Sequence, residues 1–338
     1  MSYQFKLSRR VARLRAPALA ALAIAMSACN AGDTTSSDGP PTDANPTPSA
    51  VRATAGGTIS AMTTATGSCL TQSGPLVSLT GSQSAYNDRK STQSNRRVDA
   101  RSAWWMGVGE FPVHAGSSAS QALCWTGGLI QGTWSTSTPW SSYHSTAAMY
   151  MASPRFTLED VRIVNYGDGV RVADYADDWT IRRIHVQGGH DDCIENDRLY
   201  SGVVDDSYFE GCYVFISERP GSNQTVVRDG SRDTVTIRNS LVYLQPMPTV
   251  YSGTAPGTGP LFKWSANASK LVISNSIFRF DKKPNHGSLG APNLVGCANN
   301  IVVWLGAGPF PATLPACFKV TTTRAVWDQA VADWEARH

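Results

Sequence analysis

Apolar positions in the middle of the chain recur at a fixed spacing. Phe156-Thr-Leu-Glu-Asp-Val-Arg-Ile163, Trp179-Thr-Ile-Arg-Arg-Ile-His-Val186 and Gly202-Val-Val-Asp-Asp-Ser-Tyr-Phe209 align so that Leu158, Ile181 and Val204 share a column, 23 residues apart each time. The pattern returns at 235–242 and 271–278, which adds Ile237 and Ile273. A second apolar column, Ile163, Val186, Phe209, Val242 and Phe278, follows five residues behind the first. Between the two runs a polar column of Asp160, Arg183, Asp206, Asn239 and Asn275.

A period in the low twenties with β-branched columns marks stacked units that cannot bury their apolar sides alone. On a flat strand, positions five apart point to opposite faces. Both columns are apolar, so the chain must bend between them for both to face inward. The bend falls at the polar column, where short Asp and Asn side chains tolerate left-handed backbone. Leucine-rich repeats have a similar period, but their Leu-x-x-Leu-x-Leu pattern is absent. The spacing therefore predicts an all-β chain, a single-stranded right-handed parallel β-helix of eight to ten turns over residues 57–320. Leu76-Val-Ser-Leu79, 123–132 and 148–151 read as early strands, 82–101 as a polar loop, and Asn299 to Leu305 as the last turn. In 321–338, Trp327, Val331 and Trp334 share a helical face behind Thr323, a Thr in N-cap position. This short C-terminal α-helix is expected to cap the open end of the solenoid.

The first 28 residues read as an address. Lys6, Arg9, Arg10, Arg13 and Arg15 precede an apolar run, Ala18 to Met26, too short to span a bilayer. Met26-Ser-Ala-Cys29 resembles the bacterial lipoprotein cleavage box, which implies that Cys29 is lipidated and begins the mature chain. Residues 29–56 are a Thr/Ser/Asp/Pro/Gly tether. Export to the bacterial cell envelope follows, in the periplasm or on the outer membrane, with membrane contact through the lipid alone. Removing those five cations turns the formal +3 into −2, so no basic stripe suggests nucleic acid. Lipidation of Cys29 leaves six cysteines, an even number that suits an oxidising compartment. A monomer is expected.

The densest chemistry lies between the columns. Asn165-Tyr-Gly-Asp-Gly-Val170 is followed one turn later by Gly189-His-Asp-Asp-Cys-Ile-Glu-Asn-Asp197, with Val170 and Ile194 24 residues apart. Asp168 is thus expected nearly beneath Asp191 and Asp192, on strands ~4.8 Å apart. Carboxylates that close require a raised pKa, a cation or solvent between them. Asp and Asn are common at solenoid corners, but the doublet and the adjacent His190 exceed what a corner requires.

Gly-x-Asp-Asp-Cys-Ile resembles the Asp-Asp-Cys segment of polygalacturonases, glycoside hydrolases built on this β-helix. The resemblance covers about sixty residues. It implies that Asp191 is the general acid and that Asp168 and Asp192 hold and deprotonate water in an inverting hydrolysis, with His190 flanking. It also implies a Cys193–Cys212 bridge, against two free thiols stacked inward. That family's Gly-His-Gly is absent, Gly211-Cys-Tyr213 standing there instead, and so is its Arg-Ile-Lys clamp. Arg219, Lys263, Glu195 and Tyr213 become the substrate-contacting candidates. The wording Asp-Asp-Cys-Ile-Glu-Asn-Asp, Gly-Cys-Tyr-Val and Phe-Lys-Trp264 is also similar to bacterial right-handed β-helix repeat proteins, a likeness that implies no activity. The remaining cysteines are expected to pair as Cys69–Cys124 and Cys297–Cys317.

Three functions follow. The first is hydrolysis of an acidic polysaccharide by the aspartates. The second is β-elimination on a uronate polymer, with Ca²⁺ held by Asp168, Asp191, Asp192 and Glu195 and with Arg219 or Lys263 as base. The third is a non-catalytic glycan-binding or surface scaffold. Apart from that Ca²⁺ no cofactor is implied. A Cys29→Ser variant is expected to lose fatty-acid labelling and membrane association; labelling equal to the parent's would refute lipidation.

Overall fold

A computed structural model describes residues 67–107, 109–135, 137–220, 228–246, 258–284 and 293–338. Cys29, the signal segment, the tether and most of the 246–260 insertion lie outside the described residues. The chain divides into two compact units, Met1–Gly56 and Gly57–His338, and the strands described below belong to the second.

The unit is a parallel β-helix with three faces. Faces one and two are the two halves of a 17-stranded sheet, and face three is a seven-stranded sheet. Face one contains Thr157–Glu159, Trp179–Arg182, Gly202–Asp205, Thr234–Arg238 and Lys270–Ser274, stacked in parallel register through Leu158, Ile181, Val204, Ile237 and Ile273. Face two contains Arg162–Tyr166, His185–Gly189, Tyr208–Cys212, Leu241–Leu244 and Ile277–Phe280, in register through Ile163, Val186, Phe209, Val242 and Phe278. Both columns are buried in one core.

The bend that joins them is visible in the backbone. Asp160, Arg183, Asp206, Asn239 and Asn275 all have φ between 46 and 57°, and Asn299 continues the column at 56°. Arg183 tolerates this strained position because its guanidinium is clasped by Asp160, at 2.7 Å, and Glu159, at 3.1 Å. Buried Glu159 also accepts from Thr126 Oγ1, from Ser68 Oγ and from the Cys69 amide. Burial would raise its pKa, but these donors and Arg182 outweigh it and hold the carboxyl below its ordinary value.

Two readings of the polar stretches need correction. Residues 97–101 are not loop but the first half of the strand Arg97–Met106. Val98 and Ala100 point inward, fully buried, while Arg97, Asp99 and Arg101 alternate outward. Asn300–Trp304 is not the last turn either, because Phe318–Thr321 pairs beyond it. All three expected cysteine pairs are bridged, with Cα separations of 5.6, 5.6 and 5.8 Å. They suit an oxidising compartment.

The C-terminal helix, Arg324–Glu335, follows Thr323, whose side chain makes no capping bond. Rather than closing the last turn, it lies along the outer side of face two. Its 12 residues span ~18 Å, close to four strand spacings of ~4.8 Å. Trp327 packs on Tyr208 and Tyr243, and Trp334 on Tyr208 and His185, while the Trp334 indole donates to the Asp206 carbonyl at 3.0 Å. Leu241, Ile277 and Val303 complete this second buried cluster. Trp334→Ala is expected to cost about 3–5 kcal/mol of unfolding free energy in a denaturant titration; a change within ~0.5 kcal/mol would show that the helix is not integral to the fold.

Candidate functional site

Face three carries the chemistry. It stacks Tyr86–Asn87, Val113–Ala115, Ala147–Met151, Asp168–Val172, Asp192–Glu195, Val214–Glu218 and Phe262–Trp264. Its inward column is Val113, Met149, Val170, Ile194, Ile216 and Phe262. One residue along, the chain presents Tyr150, Arg171, Glu195, Ser217 and Lys263 in register.

The glycines around Asp168 follow from crowding. A Cβ at Gly169 would lie 2.5 Å from the Cys193 carbonyl oxygen, and one at Gly167 would collide with the Tyr143 carbonyl oxygen. Asp168 is thereby set directly against the next turn, where its Oδ1 accepts from the Asp192 amide at 3.1 Å. The Asp191 amide donates to the Gly167 carbonyl at 2.8 Å, and its carbonyl accepts from the Val214 amide at 2.9 Å. Backbone bonds to both neighbouring turns therefore fix the Asp-Asp pair.

The spacing predicts Asp168 against Asp191 and Asp192; the three carboxylates that meet are Asp168, Asp192 and Glu195. One oxygen each from Asp168, Asp192 and Glu195 lie within 4.8 Å of one another. Two cations compensate them. Arg171 Nη2 reaches Asp168 at 2.5 Å and Glu195 at 2.7 Å, and Lys263 Nζ reaches Asp192 at 3.0 Å. Asp192 Oδ1 is buried and has no hydrogen-bond partner among the described residues.

Burial dominates the titration of this cluster. It pushes the Asp168 carboxyl up to about 7, despite Arg171, with Asp191 and Asp192 adding to the rise. Burial and then the Asp192 charge hold Asp191 well above the ordinary value, against Lys263 and a donor from Trp140. Glu195 is raised well above its ordinary value by burial and by Asp168, and Asp197 to about 6 by burial and by Glu195. Burial alone would lower Lys263, but Asp192, Asp191 and Asp197 outweigh it and raise its pKa.

The other candidates sit differently. His190 Nε2 is directed to Asn165 Oδ1 and its ring lies 4.7 Å from Tyr143; burial lowers its pKa. Tyr213 is buried, with its amide on the Gly189 carbonyl and its ring against Gly259. Arg219 is exposed, and its backbone amide, not its guanidinium, reaches Asp197 at 3.3 Å. Arg171, Asp197 and Trp140 are the groups that sequence reasoning passed over. Arg171 stands three residues after Asp168, and the recurrence of outward positions on face three would have found it.

Calcium requires six to eight oxygen ligands. Asp168, Asp192 and Glu195 supply three carboxylates, but Arg171 and Lys263 already contact all three. The residues as arranged do not fit a resident Ca²⁺. Comparison with known protein families, curated proteins and solved structures found no match.

Asp168, Asp191 and Glu195 carry protons in the native state at pH values where the unfolded chain has released them. The unfolded state then binds fewer protons, and stability falls as pH rises. His114, lowered to about 4, and His190 act in the opposite sense only below 6.5. Thermal unfolding is therefore expected to drop between about pH 6.5 and 8, and Asp168→Asn to flatten part of that slope. A rise across the same window would overturn the protonated cluster.

Proposed function

We propose that this cluster is the active site of an exported, polysaccharide-cleaving β-helix enzyme that works by aspartate-based glycoside hydrolysis. The observation that carries the reading is Asp191, a buried carboxyl raised above its ordinary value by burial and by Asp192, close to the Asp192–Lys263 ion pair and fixed by its backbone to both neighbouring turns. A carboxylic acid that keeps its proton near neutrality can donate it to a glycosidic oxygen. Asp191 remains 7 % exposed, whereas Asp168 is fully buried. Asp191 therefore takes the acid role, and Asp192, with Asp168 behind it, orients and deprotonates water. Lys263 holds Asp192 in place. The proposal includes tethering to the membrane through a lipidated Cys29.

Elimination is the weaker alternative. A general base must be deprotonated near the working pH, yet the surrounding carboxylates hold the proton on Lys263. A scaffold reading has its own signature, because removing one of several crowded carboxyls should then only relieve burial of charge.

Screening oligosaccharides of several linkages for new reducing ends identifies a substrate. On it Asp191→Asn is expected to lower the rate ~10²–10⁴-fold, with unfolding unchanged or shifted upward. Chelator is expected to leave the rate intact. An Asp191→Asn variant as active as its parent, or an ultraviolet-absorbing unsaturated product, would refute the hydrolytic assignment.

A further inference from the structure

The charges around the site point to the kind of sugar it holds. Five carboxyls act on one another here, Asp168, Asp191, Asp192, Glu195 and Asp197, against two cations, Arg171 and Lys263. Both cations are already engaged with those same carboxylates. Nearby, Arg198 pairs with Asp174 at 2.8 Å, and Arg219 directs its backbone rather than its side chain to Asp197. The segments 221–227, 247–257 and 285–292 contain no Lys or Arg, so they add no cation either.

A uronate placed at this cluster would bring a sixth carboxylate into a buried group whose acids are already raised, first by burial and then by one another's charge. An ammonium meets the opposite situation. Asp192 Oδ1 is a buried acceptor without a donor among the described residues, and Lys263 Nζ, 3.0 Å from the other oxygen of the same carboxylate, is an alkylammonium already seated there. Glu195, with 19 % of its side chain exposed, offers a carboxylate at the surface beside it.

We infer that the sugar unit seated at these carboxylates carries a free amine, not a carboxylate, so that the preferred glycan is a hexosamine polymer. This rests on the glycan-cleaving reading of the site and departs from the acidic polysaccharide expected from the sequence. Arrival of the ammonium favours the ionised form of neighbouring acids. Glu195, Asp191 and Asp168 hold protons that they can then release. Binding should therefore expel protons to the buffer.

The test is calorimetry on the wild-type protein at about pH 5, where the sugar amine is already an ammonium in solution and takes up no proton on binding, with three oligomers of equal length: a free-amine hexosamine oligomer, its N-acetylated counterpart and a galacturonate oligomer. The amine oligomer is expected to bind roughly tenfold tighter than the acetylated one, with the galacturonate weakest, and the amine preference should shrink with added salt. Titration in two buffers of different ionisation enthalpy should show net proton release for the amine oligomer only. Glu195→Gln should reduce both the preference and the release. Tightest binding of galacturonate, or amine binding without proton release, would overturn this inference while leaving a glycan site intact. Binding of none of the three would overturn it together with the glycan reading itself.

Discussion

The fold depends on one backbone constraint, a left-handed residue at the same corner of every central turn. Asp160, Arg183, Asp206, Asn239 and Asn275 take that conformation, and only because they do can two apolar columns five residues apart both point inward. For an ordinary side chain such a conformation costs of order 1 kcal/mol or more. The packing of Leu158 through Ile273 and of Ile163 through Phe278 more than offsets it. The same stacking brings Asp168 beneath Asp192, so the site is a by-product of register: any slip of one turn would separate the carboxylates.

Charge burial is the second organising theme. Glu159 and the face-three cluster are both buried acids met by arginine or lysine, yet they resolve differently. Glu159 collects enough donors to remain ionised. In the Asp168 cluster acids outnumber cations, and part of the balance is met by protons. The first arrangement fixes the segment at Cys69 in place; the second leaves buried acids with raised pKa values. Excess acid distinguishes a candidate site from a structural hub here.

Faces one and two were legible in the sequence because their columns are purely apolar and evenly spaced. Face three was not, since the segments between it and face one vary in length and hide the recurrence from Met149 to Phe262. The strand from Arg97 escaped notice because its charged outward residues, Arg97, Asp99 and Arg101, mask the inward Val98 and Ala100. That Asp168, Asp192 and Glu195 share one corner was readable from motif and spacing, and Lys263 meets Asp192 there. Arg171 becomes readable only once the outward register of face three is in hand, and Trp140 is not readable, because it comes from a short helix, Trp140–Tyr143, that no repeating column announces. His190 and Tyr213 both sit at corners between strands, where side-chain direction does not follow the alternation that spacing can read.

The helix along face two changes how this solenoid can come apart. Stacked turns ordinarily interact with nearest neighbours alone, so an array can lose its end turns one at a time. Here Trp327 and Trp334 connect the neighbourhood of Val303 to Tyr208 and His185, several turns away. The last turns cannot fray without pulling the helix from the middle ones, and the middle ones cannot loosen without uncovering two tryptophans. A structure built by repetition thereby acquires the all-or-none character of a globular domain over the turns that follow its acidic site.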